Sequence, residues 1–238
     1  MRDVQASVRA VEQVNHNVYS ATLNVGDADF IAGQYLMIIL PSGEHVPYSI
    51  GSAPNELPEL TLYILVSDDQ SLAKKVVTYL TENSTVDIKM AGGDCHIENG
   101  ALDLEADNLL MIAGGTGFSQ IKSFYDDLVA RNYSGKVSLY WGLRTEQDVF
   151  MQDWIKQTQE RPLFDFHVVV NDDSNEWNGR KGWLYEAVLE DHPDLSNSAA
   201  YVCGSVAMVY GTLDELEKAG LEEKRCYSDV FAYAPRNK

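Results

Sequence analysis

The stretch "NLLMIAGGTGFSQIKSF", Asn108–Phe124, decides the fold. Leu109 to Ala113 form a continuous apolar run, the pattern of a strand buried on both faces. Gly114, Gly115 and Gly117 follow, and then Ile121, Phe124 and Leu128 recur at helical spacing through "FSQIKSFYDDLVARN". A buried strand that passes through glycines into a helix is the first half of a strand-helix-strand unit. Such glycines let backbone donors approach a phosphate or a sugar, with Thr116 available to cap the helix. The same residues serve equally as a tight turn that needs glycine for its geometry alone. The usual dinucleotide fingerprint is not met, because its third glycine is missing and no acidic residue ends the next strand at the expected distance.

Downstream the alternation continues. "KVSLYWG", "FDFHVVV" and "AAYVCGS" read as buried strands, and "EQDVFMQDWIKQTQE", "LYEAVLEDH" and "AMVYGTLDELEKAG" read as helices. This rhythm predicts a parallel sheet covered by helices, with ligands at the carboxyl ends of its strands. Upstream the period is different. "VQASVRAVEQVN", "VYSATLNV", "QYLMIIL", "LTLYILVS" and "TVDIKMAG" are short strands separated by turns, which argues for a small closed or nearly closed antiparallel barrel. One helix interrupts them, "SLAKKVVTYLTEN", capped by Ser71 and bringing Leu72, Val76 and Leu80 to one side. The expected domains are therefore a barrel over 1–100 and an α/β domain over 107–238, with "LDLEAD" between them.

The chain has 238 residues, and its 18 Lys+Arg against 36 Asp+Glu give a formal net charge of −18. That excess argues against a nucleic-acid or anionic-membrane surface, while leaving room for a local basic pocket that takes one phosphate. No apolar run has the length of a membrane span, and "MRDVQASVRAVEQ" lacks the order of a secretory signal, so a soluble cytoplasmic protein is expected. Cys95, Cys203 and Cys226 are too few for a disulfide framework or a four-cysteine metal site, and the histidines show no metal-binding spacing.

The other candidate residues stand at the predicted strand ends. Gly142 and Arg144 follow one strand, where the arginine can meet a ribose or phosphate or pair with Glu146 or Asp148. Trp177, Gly179, Arg180 and Gly182 lie in the loop "NDDSNEWNGRKGWL", which either covers a base or is a long polar turn. Cys203 and Gly204 end the last strand, as a small polarizable contact for a flat ring or as a buried inert cysteine. In the barrel half, "EHVPYSIGSAP", Glu44–Pro54, sets Pro47 in an extended run, which suits a sheet edge or rim.

"VPYSIGSAP", "MIAGGTGFSQIKSF", "LYWGLRTEQDVF", "WNGRKGWL", "YVCGSVAM" and "YSDVFAYA" occur in one order along the chain. In that order they resemble the NAD(P)H-flavin reductases of the ferredoxin-NADP reductase superfamily, especially the general and luminescence-associated flavin reductases of bacteria. The resemblance implies an N-terminal antiparallel Greek-key barrel that binds flavin, followed by a parallel-sheet nucleotide-binding domain for NADH or NADPH. It implies that Pro47, Tyr48 and Ser49 line the flavin, with the Ser49 hydroxyl near the reactive N5. Gly114, Gly115, Thr116 and Gly117 would support the nicotinamide nucleotide. Cys203 and Gly204 would lie by the nicotinamide, and Phe231 near the other side of the ring system. Arg144 and Arg180 are the candidates for ribose and phosphates. Ser49 and Cys203 are thus the candidate catalytic residues, with no metal.

One position departs from the family pattern of arginine, any residue, aromatic, serine: the arginine, which generally contacts the flavin ribityl or phosphate group, is Val46 here. Loss of a charge-assisted contact implies weaker flavin binding. That suits an enzyme treating FMN, riboflavin or FAD as a substrate that leaves each cycle, delivering reduced flavin to a partner such as a flavin-dependent monooxygenase. A prosthetic-flavin subunit reducing a partner oxygenase is the alternative, followed by a noncatalytic nucleotide-binding protein. Association as a homodimer is left open.

Overall fold

The computed structural model describes residues 1–103, 106, 108–161, 164–171 and 177–236. The segment "LDLEAD" and the loop 171–184 thus lie partly outside the described residues. The chain forms two compact units, and these do not follow a single cut. One comprises Met1–Ile97 with Lys122–Asn132, and the other Glu98–Ile121 with Tyr133–Lys238.

In the first unit the strands are β1 (Arg2–Gln13), β2 (Val18–Asn24), β3 (Tyr35–Ile39), β4 (His45–Ser49), β5 (Glu59–Leu65) and β6 (Thr85–Gly92). They pair antiparallel in the order β4-β3-β6-β1-β2-β5. The two outer strands also meet: Ile50, just past β4, bridges Leu62 of β5, and the Gly51 N–H donates to the Thr61 carbonyl at 2.7 Å. These contacts join the two edges of the sheet just beyond Ser49 and so close it there. Alternate residues point inward, so Ala21, Leu23, Leu36, Ile38, Leu60, Leu62, Ile64 and Ile88 fill the interior.

Helix α1 (Leu72–Glu82) packs on the barrel through Val76, Val77 and Leu80, and the Ser71 hydroxyl accepts the Lys74 N–H as the sequence predicts. Leu72, expected on the same face, is 39% exposed, because a residue at the first helical position is still turning off the incoming chain. The second helix, α2 (Phe118–Ala130), contributes its later turns to this unit.

The second unit holds β7 (Asn108–Gly114), β8 (Val137–Leu143), β9 (Phe164–Val170), β10 (Arg180–Lys181), β11 (Ser198–Cys203) and β12 (Cys226–Tyr227). They form a parallel sheet in the order β10-β9-β8-β7-β11-β12. Helices α3 (Gln152–Gln159), α4 (Leu184–Asp191), α5 (Val206–Lys218) and the short α6 (Val230–Tyr233) complete it. Leu110, Ile112 and Tyr140 face Val188, Val209 and Leu213 in one layer. On the opposite face Phe118 stacks on Trp141 at 4.2 Å, with Trp154 edge-on to Phe118 and Phe166 edge-on to Trp154. The run read as one helix from Glu146 is in fact a 3-10 turn, Glu146–Asp148, and then α3, with Met151 at φ +59° breaking the continuity. No helix among the described residues is long and apolar enough to cross a membrane, and no group of three or more metal-ligating side chains occurs among them.

Gly33 shows how tightly α2 fits the barrel unit. Its φ is +96°, and an added Cβ would lie 2.0 Å from the Phe124 ring. Gly33→Ala is expected to cost about 2–4 kcal/mol, from overpacking and a positive φ together. Gly43→Ala, where a Cβ meets nothing within 4 Å, should lose only the backbone part. Urea unfolding of both variants checks this, and equal midpoints would refute the packing argument.

Candidate functional site

In the second sheet β7 lies between β8 and β11, so strand order reverses there. At such a switch point the loops leaving adjacent strands diverge and open a crevice at the carboxyl ends. Gly114 ends β7 opposite Gly142 of β8, and Ala113 stands opposite Cys203 of β11. Gly115–Gly117 form a 3-10 turn that leads directly into α2. The Trp141 indole N–H donates to the Gly115 carbonyl at 2.9 Å, and the Ser119 hydroxyl donates to the Thr116 carbonyl at 2.9 Å. Thr116, foreseen as a helix cap, sits inside the turn and contributes this carbonyl.

The glycines are demanded by close approach. A Cβ on Gly117 would lie 2.6 Å from the Cys203 carbonyl oxygen, and one on Gly204 would lie 2.8 Å from the Met208 sulfur. Met208 also lies 3.3 Å from where a Cβ on Gly114 would be. Around Gly115, by contrast, nothing comes within 4 Å of an added Cβ, so the middle of the loop is open. Met208 went unnoticed in the sequence, since its helical spacing reads as core.

Cys203 is buried, and its thiol donates to Gln120 Oε1 at 2.9 Å. The Gln120 amide in turn donates to Asp229 Oδ2 at 3.0 Å. Phe231, two residues on, is half-buried against Tyr210 of α5 with ring centroids 5.7 Å apart. The strongly exposed aromatic of this tail is Tyr233, at 66%.

The two candidate arginines stand in different settings. Arg144 is exposed just past β8 and makes no hydrogen bond or ion pair with the described residues, Glu146 and Asp148 included. Arg180 on β10 donates through both terminal nitrogens to Asp191 and, at 2.9 Å, to Glu190. Asp191 also accepts the Tyr140 hydroxyl at 2.7 Å, and His167 lies 3.6 Å away. The Arg180 hydrogen bonds hold the Asp191 carboxyl down at about 2, and burial pushes His167 below its usual value. Trp177 donates to the Arg180 carbonyl at 2.9 Å and helps line a cavity of about 350 Å³ with Gln152, Phe166 and His167.

In the first unit β4 carries Pro47, Tyr48 and Ser49, opposite Met37, Leu36 and Tyr35 of β3. Pro47 is exposed, and Tyr48 packs half-buried on the barrel core, where burial raises its phenol to about 12. Ser49 is half-exposed, and its hydroxyl bonds none of the described residues. Val46 is 8% exposed and belongs to the barrel core. The segment after Ser49 is held firmly. Ser123 of α2 donates to the Ser52 carbonyl at 2.7 Å, and the Ala53 N–H donates to Glu56 Oε1 at 2.8 Å. Ser123 was not singled out in the sequence, because its partner 71 positions away is set by packing, and Glu56, whose contact is local, was passed over.

Residues 111–214 match the oxidoreductase NAD-binding domain family. The chain is similar to a probable flavin reductase of Aliivibrio fischeri, 29% identical over 97% of this chain and 98% of that one. It is 30% identical to a probable flavin reductase of Photobacterium leiognathi, over 95% of this chain and 97% of that one. Among solved structures, a ferredoxin NADP+ reductase from Neisseria gonorrhoeae with bound FAD and NADP shares the fold at a TM-score of 0.79 and 16% identity, covering 96% of this chain and 98% of that one. With a parallel sheet whose switch point carries a glycine turn, a closed antiparallel barrel, and a relative matched from end to end, this chain belongs to the flavin reductase family, on a fold of ferredoxin-NADP reductase type.

Proposed function

We propose that the protein is an NAD(P)H:flavin oxidoreductase that moves a hydride from a reduced nicotinamide to a free flavin. The full-length likeness to flavin reductases carries this reading. The glycine turn supports it, since Gly114, Gly117 and Gly204 let the strand ends and the start of α2 pack closely while the loop stays open at Gly115. The two cofactors supply the redox chemistry when bound, and the protein supplies alignment and exclusion of water. Gly114 to Gly117 would receive the nicotinamide nucleotide, Arg144 its anionic part, and Cys203 and Gly204 the nicotinamide side. On the barrel, Pro47, Tyr48 and Ser49 would receive the flavin. The domain roles follow as flavin for 1–100 and nucleotide for 107–238.

Free flavin as substrate is favoured by the same likeness to flavin reductases. The purified protein should be colourless, and loss of NADH or NADPH absorbance should require flavin in excess over enzyme. A yellow protein would assign the flavin as a resident group, and no oxidation with FMN, FAD or riboflavin would end the proposal.

Ser49→Ala should lower kcat about 10-fold with little change in thermal midpoint, if the hydroxyl aligns the flavin. Unchanged kcat and flavin KM would make Ser49 a simple rim serine.

Comparison with the family pattern implies that Val46→Arg tightens flavin binding, but the structure changes that expectation. A side chain at this position enters the barrel core, so the guanidinium is expected to cost about 1–3 kcal/mol of stability. Urea unfolding beside FMN titration calorimetry checks it. Tighter FMN binding at undiminished stability would show that residue 46 reaches the flavin after all.

A further inference from the structure

Tyr210, Asp214 and Glu217 stand at i, i+4 and i+7 of α5, beside the buried row Val209, Leu213 and Leu216. Together they receive the segment that follows α6. The Tyr210 hydroxyl donates to the Ala234 carbonyl at 2.9 Å and accepts the Arg236 N–H at 3.1 Å. The Arg236 guanidinium lies over the Tyr210 ring, 4.9 Å from its centroid, donates to Asp214 and comes within 3.6 Å of Glu217. Pro235, between the two tied residues, fixes one backbone angle there. The same segment is tied at its start, where Asp229 accepts the Gln120 amide at 3.0 Å. Between the ties lies α6, with the Phe231 ring tilted against Tyr210. Segment 229–236 is therefore a strap fastened at both ends.

β12 runs parallel to β11 with Tyr227 opposite Tyr201, so the chain leaving β12 reaches the level of Cys203 at Asp229. The strap thus starts at the carboxyl end of the sheet and crosses to α5. Its two fastenings differ in kind. Gln120 is buried, whereas Arg236, Asp214 and Glu217 meet in water, where charges are screened and a tie loosens easily. We propose that Arg236 is a positioning residue: it fastens the strap to α5, so that segment 229–236 is already ordered when the nicotinamide nucleotide arrives. The consequence for binding rests on the proposed flavin reductase reading, which puts that nucleotide at this end of the sheet. A strap that is loose beforehand must be ordered on binding, and the lost entropy weakens the hold on substrate and transition state alike. The effect therefore falls on the KM for NAD(P)H and leaves kcat nearly unchanged.

The test joins hydrogen exchange of the strap, read by mass spectrometry on the whole protein, to calorimetric titration with NAD+ and NADP+ and to steady-state kinetics. Arg236→Met keeps an apolar stem over Tyr210 and removes the charge, and Asp214→Asn with Glu217→Gln removes its partners. Both should speed exchange across 229–236 about threefold to tenfold and leave β7 and β11 as protected as in the wild type. Both should also raise the dissociation constant and the KM for the nicotinamide nucleotide about threefold, with kcat little changed. Arg236→Lys keeps the charge and should recover part of the protection. In the wild type, strap exchange should quicken between about 20 mM and about 500 mM salt, and in Arg236→Met it should not respond. Unchanged strap exchange in either folded variant would overturn the proposal, and so would faster exchange with unaltered nucleotide affinity. Failure of the flavin reductase reading is distinct: wild-type protein would then oxidise no nicotinamide with any flavin, while strap exchange and nucleotide affinity still answered to Arg236.

Discussion

The second unit depends on a single close approach. At Gly117 the chain entering α2 comes so near the end of β11 that an added Cβ would sit 2.6 Å from the Cys203 carbonyl oxygen. Only glycine permits this contact. It lets the helix begin beside both β7 and β11, with the loops from these neighbours leaving in different directions. The remaining loop is then fixed by ordinary groups, the Trp141 indole on the Gly115 carbonyl and the Phe118 ring on Trp141. An open Gly115 between such anchors makes a preorganised surface, with little further ordering entropy to lose when a ligand arrives.

The barrel reaches a comparable rigidity by another route. Its closing contacts, Ile50 with Leu62 and Gly51 with Thr61, fall immediately after Ser49, so the rim segment is part of the hydrogen-bonded wall. Ser123 then secures the next carbonyl from the side of α2. A serine whose hydroxyl bonds none of the described residues, set at the end of a strand anchored in this way, is held in place by its backbone and keeps its side chain available.

Most of the architecture was legible because it is written in local periods. The change from alternating short strands to apolar runs separated by helical spacing identified both sheets and all the longer helices. What escaped was set by contacts between distant residues. Gln120 reads as an ordinary helix residue, since its partners Cys203 and Asp229 are 83 and 109 positions away. Val46 reads as a missing arginine until the alternation of β4 is tied to a register, Val46 opposite Ile38, which turns it into the core. Met151 gave no warning of a left-handed residue, because methionine favours helices. The grouping of Lys122–Asn132 with the barrel unit likewise follows from packing, as the Phe124 ring against Gly33 illustrates.

The arginines show how context, and not residue type, settles what a charge can do. A chain of net charge −18 repels an anionic nucleotide at long range, but screening confines that repulsion to about 8–10 Å in physiological salt. Inside that distance the nearest cation decides. For Arg180 to take a phosphate, it must release Asp191 and Glu190, and Asp191 would lose a partner while still accepting from Tyr140. The guanidinium therefore serves chiefly to tie β10 to the end of α4. Arg144 carries the same charge just beyond β8 with no bond to the described residues to give up. A phosphate or ribose arriving at the strand ends gains its full attraction there, which is the physical reason to weight Arg144 above Arg180 at this site.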